Sequence, residues 1–258
     1  MYDNISTADA VSRWNSLGVK LPKELATAVE VFEAIRWVET GHTVPFDLAD
    51  ITAANAEEKL VEFANRLLPA LKTGDHLSRT PLEEAKRRML DAAAREVLGK
   101  ATAAVPVVIE QLTPEFDKHA AAYVAAVASL PDIVDSDSLV QAGPLAVQAY
   151  MTAQTEAAYL DKVSSWVAGT RDLPGFAGLD VEVALRTLRP ADALQLAKLD
   201  AAQYKNVNQT LGALDKVLYT AAREGIEFGI NTLRECAEIR RSLAITPQNV
   251  SSRVTMVR

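Results

Sequence analysis

Apolar positions recur every three or four residues over most of the chain, and polar positions fill the opposite arc. Between residues 23 and 40 the series is Leu25, Val29, Phe32 and Ile35; between 55 and 71 it is Leu60, Phe63, Leu67 and Leu71. Between 115 and 130 it runs Phe116, Ala120, Tyr123, Val127 and Leu130. Each segment thus carries one apolar face, the mark of a helix packed on a core. Strands do not alternate with helices, and no repeat with a period of roughly 20–50 residues shows. The pattern predicts an all-α protein: a multi-helix bundle of about eight to ten helices.

Punctuation divides the series. Gly18 ends a first helix, Pro22 opens a second and Gly41 stops it. Thr80-Pro81-Leu82-Glu83 is a capping box with proline at the first helical position. The helix it opens carries Glu83–Arg87, Glu84–Arg88 and Asp91–Arg95, acid before base at i,i+4, and so a solvated face. Gly99 and Pro106 are expected to limit that helix, and Pro114 to open the next. The polar stretch 131–143 reads as a linker between an N-terminal helical subdomain (1–130) and a C-terminal one (144–246). An extended tail over 247–258 follows.

Residues 191–243 hold no proline, and Tyr204, Val207, Leu211, Leu214, Leu218, Ala222, Ile226, Ile230, Leu233 and Ala237 keep the helical spacing. One straight helix of that length would span about 80 Å, against roughly 45–50 Å for a compact globule of this chain length. A long C-terminal helix is therefore expected, with a break near Asn206–Gly212 or at Gly225, where interior glycine costs about 1 kcal/mol. Gly225 and Gly229 have a small-xxx-small spacing that, with Leu233, marks either a close helix–helix contact or glycines at a kink.

Composition narrows the field. Alanine supplies 43 of 258 residues and aromatics only 6%, which favours helix over sheet. The net charge of −7 disfavours nucleic-acid binding through a broad basic face; Lys86-Arg87-Arg88 is offset by Glu83 and Glu84. The single cysteine, Cys236, leaves no intrachain disulfide or cysteine zinc site, and on an apolar stripe it reads as a small core residue. The most apolar stretches, 101–109 and 120–130, are far short of the ~20 residues that span a bilayer. The first residues lack the basic and apolar regions of a secretory signal. The expected location is the cytoplasm or a virion.

Candidate chemistry is sparse. Glu39-Thr40-Gly41-His42 has the spacing of one half of a di-iron motif, which needs a second copy and further glutamates. Glu115 and His119 stand one turn apart as a polar pair. Asp132, Asp135 and Asp137 fail the calcium-loop pattern, with aspartate at its sixth position and glycine at its twelfth. No phosphate-binding glycine loop and no nucleophile elbow occurs. No catalytic residue, cofactor or metal ligand is therefore assigned.

The function expected is a non-catalytic structural or assembly protein, acting through helix packing in a homo-oligomer or larger complex. Its most concrete form is a virion component of a tailed bacteriophage, a context that no single residue specifies. The tail is the second contact. Val250, Arg253, Val254, Met256 and Arg258 make it mildly basic and β-branched, suited to a neighbour's groove or to fraying. Two alternatives stand beside this: a helical enzyme or small-ligand binder with a pocket between helices, lined by Glu39, His42, Asp117 and His119; and a soluble adaptor with a transient partner.

Overall fold

The computed structural model describes residues 4–40, 51–52, 54–68, 80–179 and 182–245. Gly41, His42, Leu71, His76 and the tail 247–258 lie outside the described residues. The protein is all-α, with ten α-helices among the described residues and one two-stranded ribbon. It divides into two units. One comprises Met1–Trp14 and Leu21–Ala104; the other comprises Asn15–Lys20 and Val105–Arg258.

The first unit holds α1 (Asn4–Ser12), α2 (Lys23–Arg36), α3 (Ala56–Leu67) and the first half of α4 (Pro81–Ala128). Its core gathers Val11 from α1, Leu25 and Phe32 from α2, and Ala94, Val97 and Leu98 from α4. Polar ties frame that core. Asn4 Nδ2 donates to Asp91 Oδ1 at 3.2 Å, and Lys100 pairs with Glu24 at 3.2 Å. Arg36 pairs with Asp9. The capping box forms as its residues dictate: Thr80 N–H donates to Glu83 Oε2 at 2.7 Å, and Glu83 N–H to Thr80 Oγ1 at 3.2 Å.

Helix α4 departs from the expected pair of helices. It runs 48 residues through Gly99, Pro106 and Pro114, about 72 Å at 1.5 Å per residue. A proline inside a helix forfeits one amide and crowds the preceding turn, at about 3 kcal/mol. Burial opposes that cost. Ala94, Val97, Ala101, Ala104, Val108, Leu112, Phe116, Ala120, Tyr123 and Val127 are all buried, at unbroken three- and four-residue steps across the glycine and both prolines. Continuing the helix keeps this stripe on one face, and burying each large side chain contributes about 1.5–3 kcal/mol.

The second unit takes the rest of α4, then α5 (Ser136–Ala142) and α6 (Pro144–Gly169). The expected linker over 131–143 is thus partly helical. Its α5 packs on α6, and the division between units falls inside α4 instead. Residues 15–20 join this unit through paired bonds: Gln111 accepts from Lys20 N–H at 2.8 Å and donates to Lys20 O at 3.0 Å. Lys162 Nζ donates to Ser16 O at 2.9 Å.

The expected long C-terminal helix is broken, at both of the places where glycine and asparagine weaken it. It becomes α7 (Ala193–Tyr204), α8 (Gln209–Gly212), α9 (Lys216–Arg223) and α10 (Leu233–Ile245). Each has its own start signal. Asp192 accepts from Gln195 N–H, Asn208 from Leu211 N–H, and Asp215 from the N–H groups of Val217 and Leu218. Thr232 and Glu235 form a second capping box. Between α6 and α7 lies β1 (Leu188–Arg189), and between α9 and α10 lies β2 (Glu227–Phe228). They pair antiparallel, Leu188 opposite Phe228 and Arg189 opposite Glu227.

The helix that the Gly225–Gly229 spacing requires is therefore absent. Gly225 has φ +63°, a left-handed conformation that turns the chain out of α9. Gly229 follows β2, and a Cβ there would sit 2.7 Å from Arg189 Cζ. Leu233 is fully buried at the start of α10. Within this unit, then, Leu233 is a core residue, Gly229 lies close against Arg189, and Gly225 makes the turn.

Candidate functional site

Of the polar residues expected to line a pocket, His42 lies outside the described residues, Glu39 belongs to the first unit, and Asp117 is exposed on α4 in the second. His119 has a defined setting. Its Nε2 lies 3.1 Å from Glu115 Oε1 on the same helix, and its Nδ1 bonds Glu156 on α6. The Tyr159 ring, one turn further along α6, stacks on the imidazole at 3.8 Å and 21°. Glu115 and His119 were visible as a pair in the sequence. Glu156 and Tyr159, 37 and 40 residues further on, carried no signal.

This arrangement is a brace. A carboxylate accepts hydrogen bonds and cannot donate them, so both ring nitrogens donate only when both carry protons. The Lys118 hydrogen bond, together with the Lys118 and His119 charges, holds the Glu115 carboxyl below its ordinary range. Burial raises the Tyr159 phenol. Among the described residues no group of three His, Cys, Asp or Glu side chains is placed to hold a metal ion.

The feature suited to contact is apolar. Where α5 meets α6, Gly143 takes φ +90° and the chain turns sharply. Leu139 and Ala146 are buried on the inner side of this elbow. Around it Ile133 is 67% exposed, Val140 74%, Leu145 81% and Met151 62%. The charged residues beside them in the chain are acidic: Asp132, Asp135 and Asp137. The stretch 119–161 contains no lysine or arginine. Asp135 caps α5 by accepting from Ser138 N–H at 2.7 Å, and that bond lowers its carboxyl.

Compared with family models, with curated proteins and with solved structures, the chain matches none. No helix among the described residues is long and apolar enough to cross a membrane.

Proposed function

We propose that this protein is a non-catalytic assembly subunit, and that the α5–α6 elbow is its docking surface for the 247–258 segment of a second copy. The observation that carries the reading is the elbow's exposed Ile133, Val140, Leu145 and Met151 set among aspartates. Large exposed apolar groups gathered on one short stretch suit a contact surface better than singly scattered ones. The chemistry of 247–258 complements it. That segment carries Val250, Val254 and Met256 for the apolar part, Arg253 and Arg258 for the aspartates, and no acidic residue. A multi-subunit particle such as a tailed-phage virion is the setting we put forward for such a subunit.

Light scattering on the full chain tests it. The expected result is an oligomer that dissociates in a chain ending at Thr246, and also in Leu145→Asp. Arg253→Glu with Arg258→Glu is expected to weaken it, and Asp132→Lys with Asp137→Lys to restore part of the loss. A full chain that stays monomeric at every concentration overturns the reading and leaves the transient adaptor in its place. An oligomer indifferent to all these changes overturns the assigned surface.

A further inference from the structure

The second unit contains a small polar cleft that neither the His119 brace nor the elbow uses. Its walls are α6, the approach to β1 and the start of α9, and it counts about 330 Å³ of space out to its open mouth. The room open to the centre of a water molecule is about 30 Å³. At roughly 10–15 Å³ per water on that measure, two waters or one compact charged head fit inside.

The lining is chemically unfinished. Arg186 spends Nη1 on Ser164 O at 3.1 Å and Nε on Val183 O at 3.4 Å. No carboxylate lies within 4.0 Å of its guanidinium among the described residues. Arg240 pairs with Glu182 and Asp200 and Arg189 with Glu227, whereas Arg223 and Arg234, like Arg186, bond backbone carbonyls. Ser164 and Thr187 also face the cleft, at 8% and 2% exposure, and neither hydroxyl makes a hydrogen bond among the described residues. Neither oxygen is sealed from solvent, so a molecule entering the mouth can reach both. Asp161 and Asp215 line the same space. Asp215 commits Oδ1 to the start of α9 and leaves Oδ2 without a bond among the described residues.

We infer that this cleft binds a compact zwitterion of the α-amino-acid kind, its carboxylate on Arg186, Ser164 and Thr187 and its ammonium toward Asp161 and Asp215. The charges select this class. A bare anion meets two carboxylates, a bare cation meets the guanidinium, and a molecule carrying both charged groups on one carbon meets a partner for each. Burial lowers the basicity of Arg186, opposed by the Asp161 charge, so a bound carboxylate would compensate a real desolvation. The site goes beyond the assembly reading and does not depend on it.

Isothermal titration of the full chain with glycine, L-alanine and L-serine tests the inference, with acetate and methylamine as the two halves. Saturable binding of at least one amino acid is expected, weakened about tenfold or more in Asp161→Asn and in Arg186→Lys. Each half should bind more weakly than the whole. Asp161 is exposed, so its variant decides the matter if Arg186→Lys loses its helical circular dichroism. Flat titrations with all three up to roughly 10 mM overturn the inference, as does acetate binding as tightly as the amino acid. Binding that is unchanged in Asp161→Asn overturns it too.

Discussion

Tyr123 donates its phenolic O–H to the backbone carbonyl of Leu214 at 2.7 Å, across 91 residues of chain. Both side chains are fully buried, so this bond fastens the last turns of α4 to the connection between α8 and α9. Burial, with the Asp215 charge adding to it, raises the phenol far above its ordinary range and keeps it a donor. Tyr123→Phe keeps the ring and removes the donor, leaving the Leu214 carbonyl without it. The expected loss is about 1–2 kcal/mol, read from the midpoint of urea unfolding. An unmoved midpoint would show that the carbonyl finds water instead.

Glycines at three positions should answer differently to alanine. Gly99 lies exposed inside α4 with no atom near its absent Cβ, so Gly99→Ala should stabilise by about 0.5–1 kcal/mol. Gly225→Ala should destabilise by about 1 kcal/mol or more, because φ +63° crowds a Cβ. Gly229→Ala should dislodge the Arg189 guanidinium, which Asn231 Oδ1 holds at 2.8 Å and Ile230 O at 3.0 Å. Thermal unfolding of the three variants ranks them.

Cys236 is fully buried against Leu185 and Leu196, and burial pushes its thiol up to about 12. A thiol reagent at pH 8 should leave it untouched in the folded protein and label it after denaturation. Labelling at the rate of a free thiol would mean that α10 opens readily.

Glu84 accepts hydrogen bonds from Arg87 and Arg88, and these lower its carboxyl from 4.5 to about 2. A folded value below the unfolded one gives stability that is present above about pH 4.5 and lost as pH falls through about 2. Carbon-detected NMR titration should place the Glu84 midpoint well below the ordinary carboxylate value. In Arg87→Gln with Arg88→Gln the midpoint should return toward the ordinary carboxylate value.

Helix starts were the most legible part of the sequence. Thr80 and Glu83 state their capping box within four residues, and Pro144 opens α6 as a first-turn proline should. The extent of α4 is less legible, because Pro106 and Pro114 read as stops and the helix runs through both. The buried stripe from Ala94 to Val127 was already in the pattern, and its continuity was the stronger signal. In the C-terminal third the balance went the other way. Apolar spacing suggested one helix, but Asp192, Asn208 and Asp215 could each begin a new one, and Gly225 could end one. The His119 brace was half visible, since Glu115 is one turn away. Glu156 and Tyr159 reach the ring only through the packing of α6 on α4, which no local pattern encodes.

Residues 15–20 belong with the second unit, while the chain on either side of them belongs with the first. The chain therefore passes from one unit to the other three times: before residue 15, after residue 20 and after residue 104. Dissection by truncation is closed off by this threading. A fragment that begins at residue 105 keeps Gln111 and Lys162 but gives up Lys20 and Ser16, the main-chain groups to which they are bonded. Supplying 15–20 as a separate peptide, or circularly permuting the chain so that it lies next to residue 105, is what an isolated second unit would require.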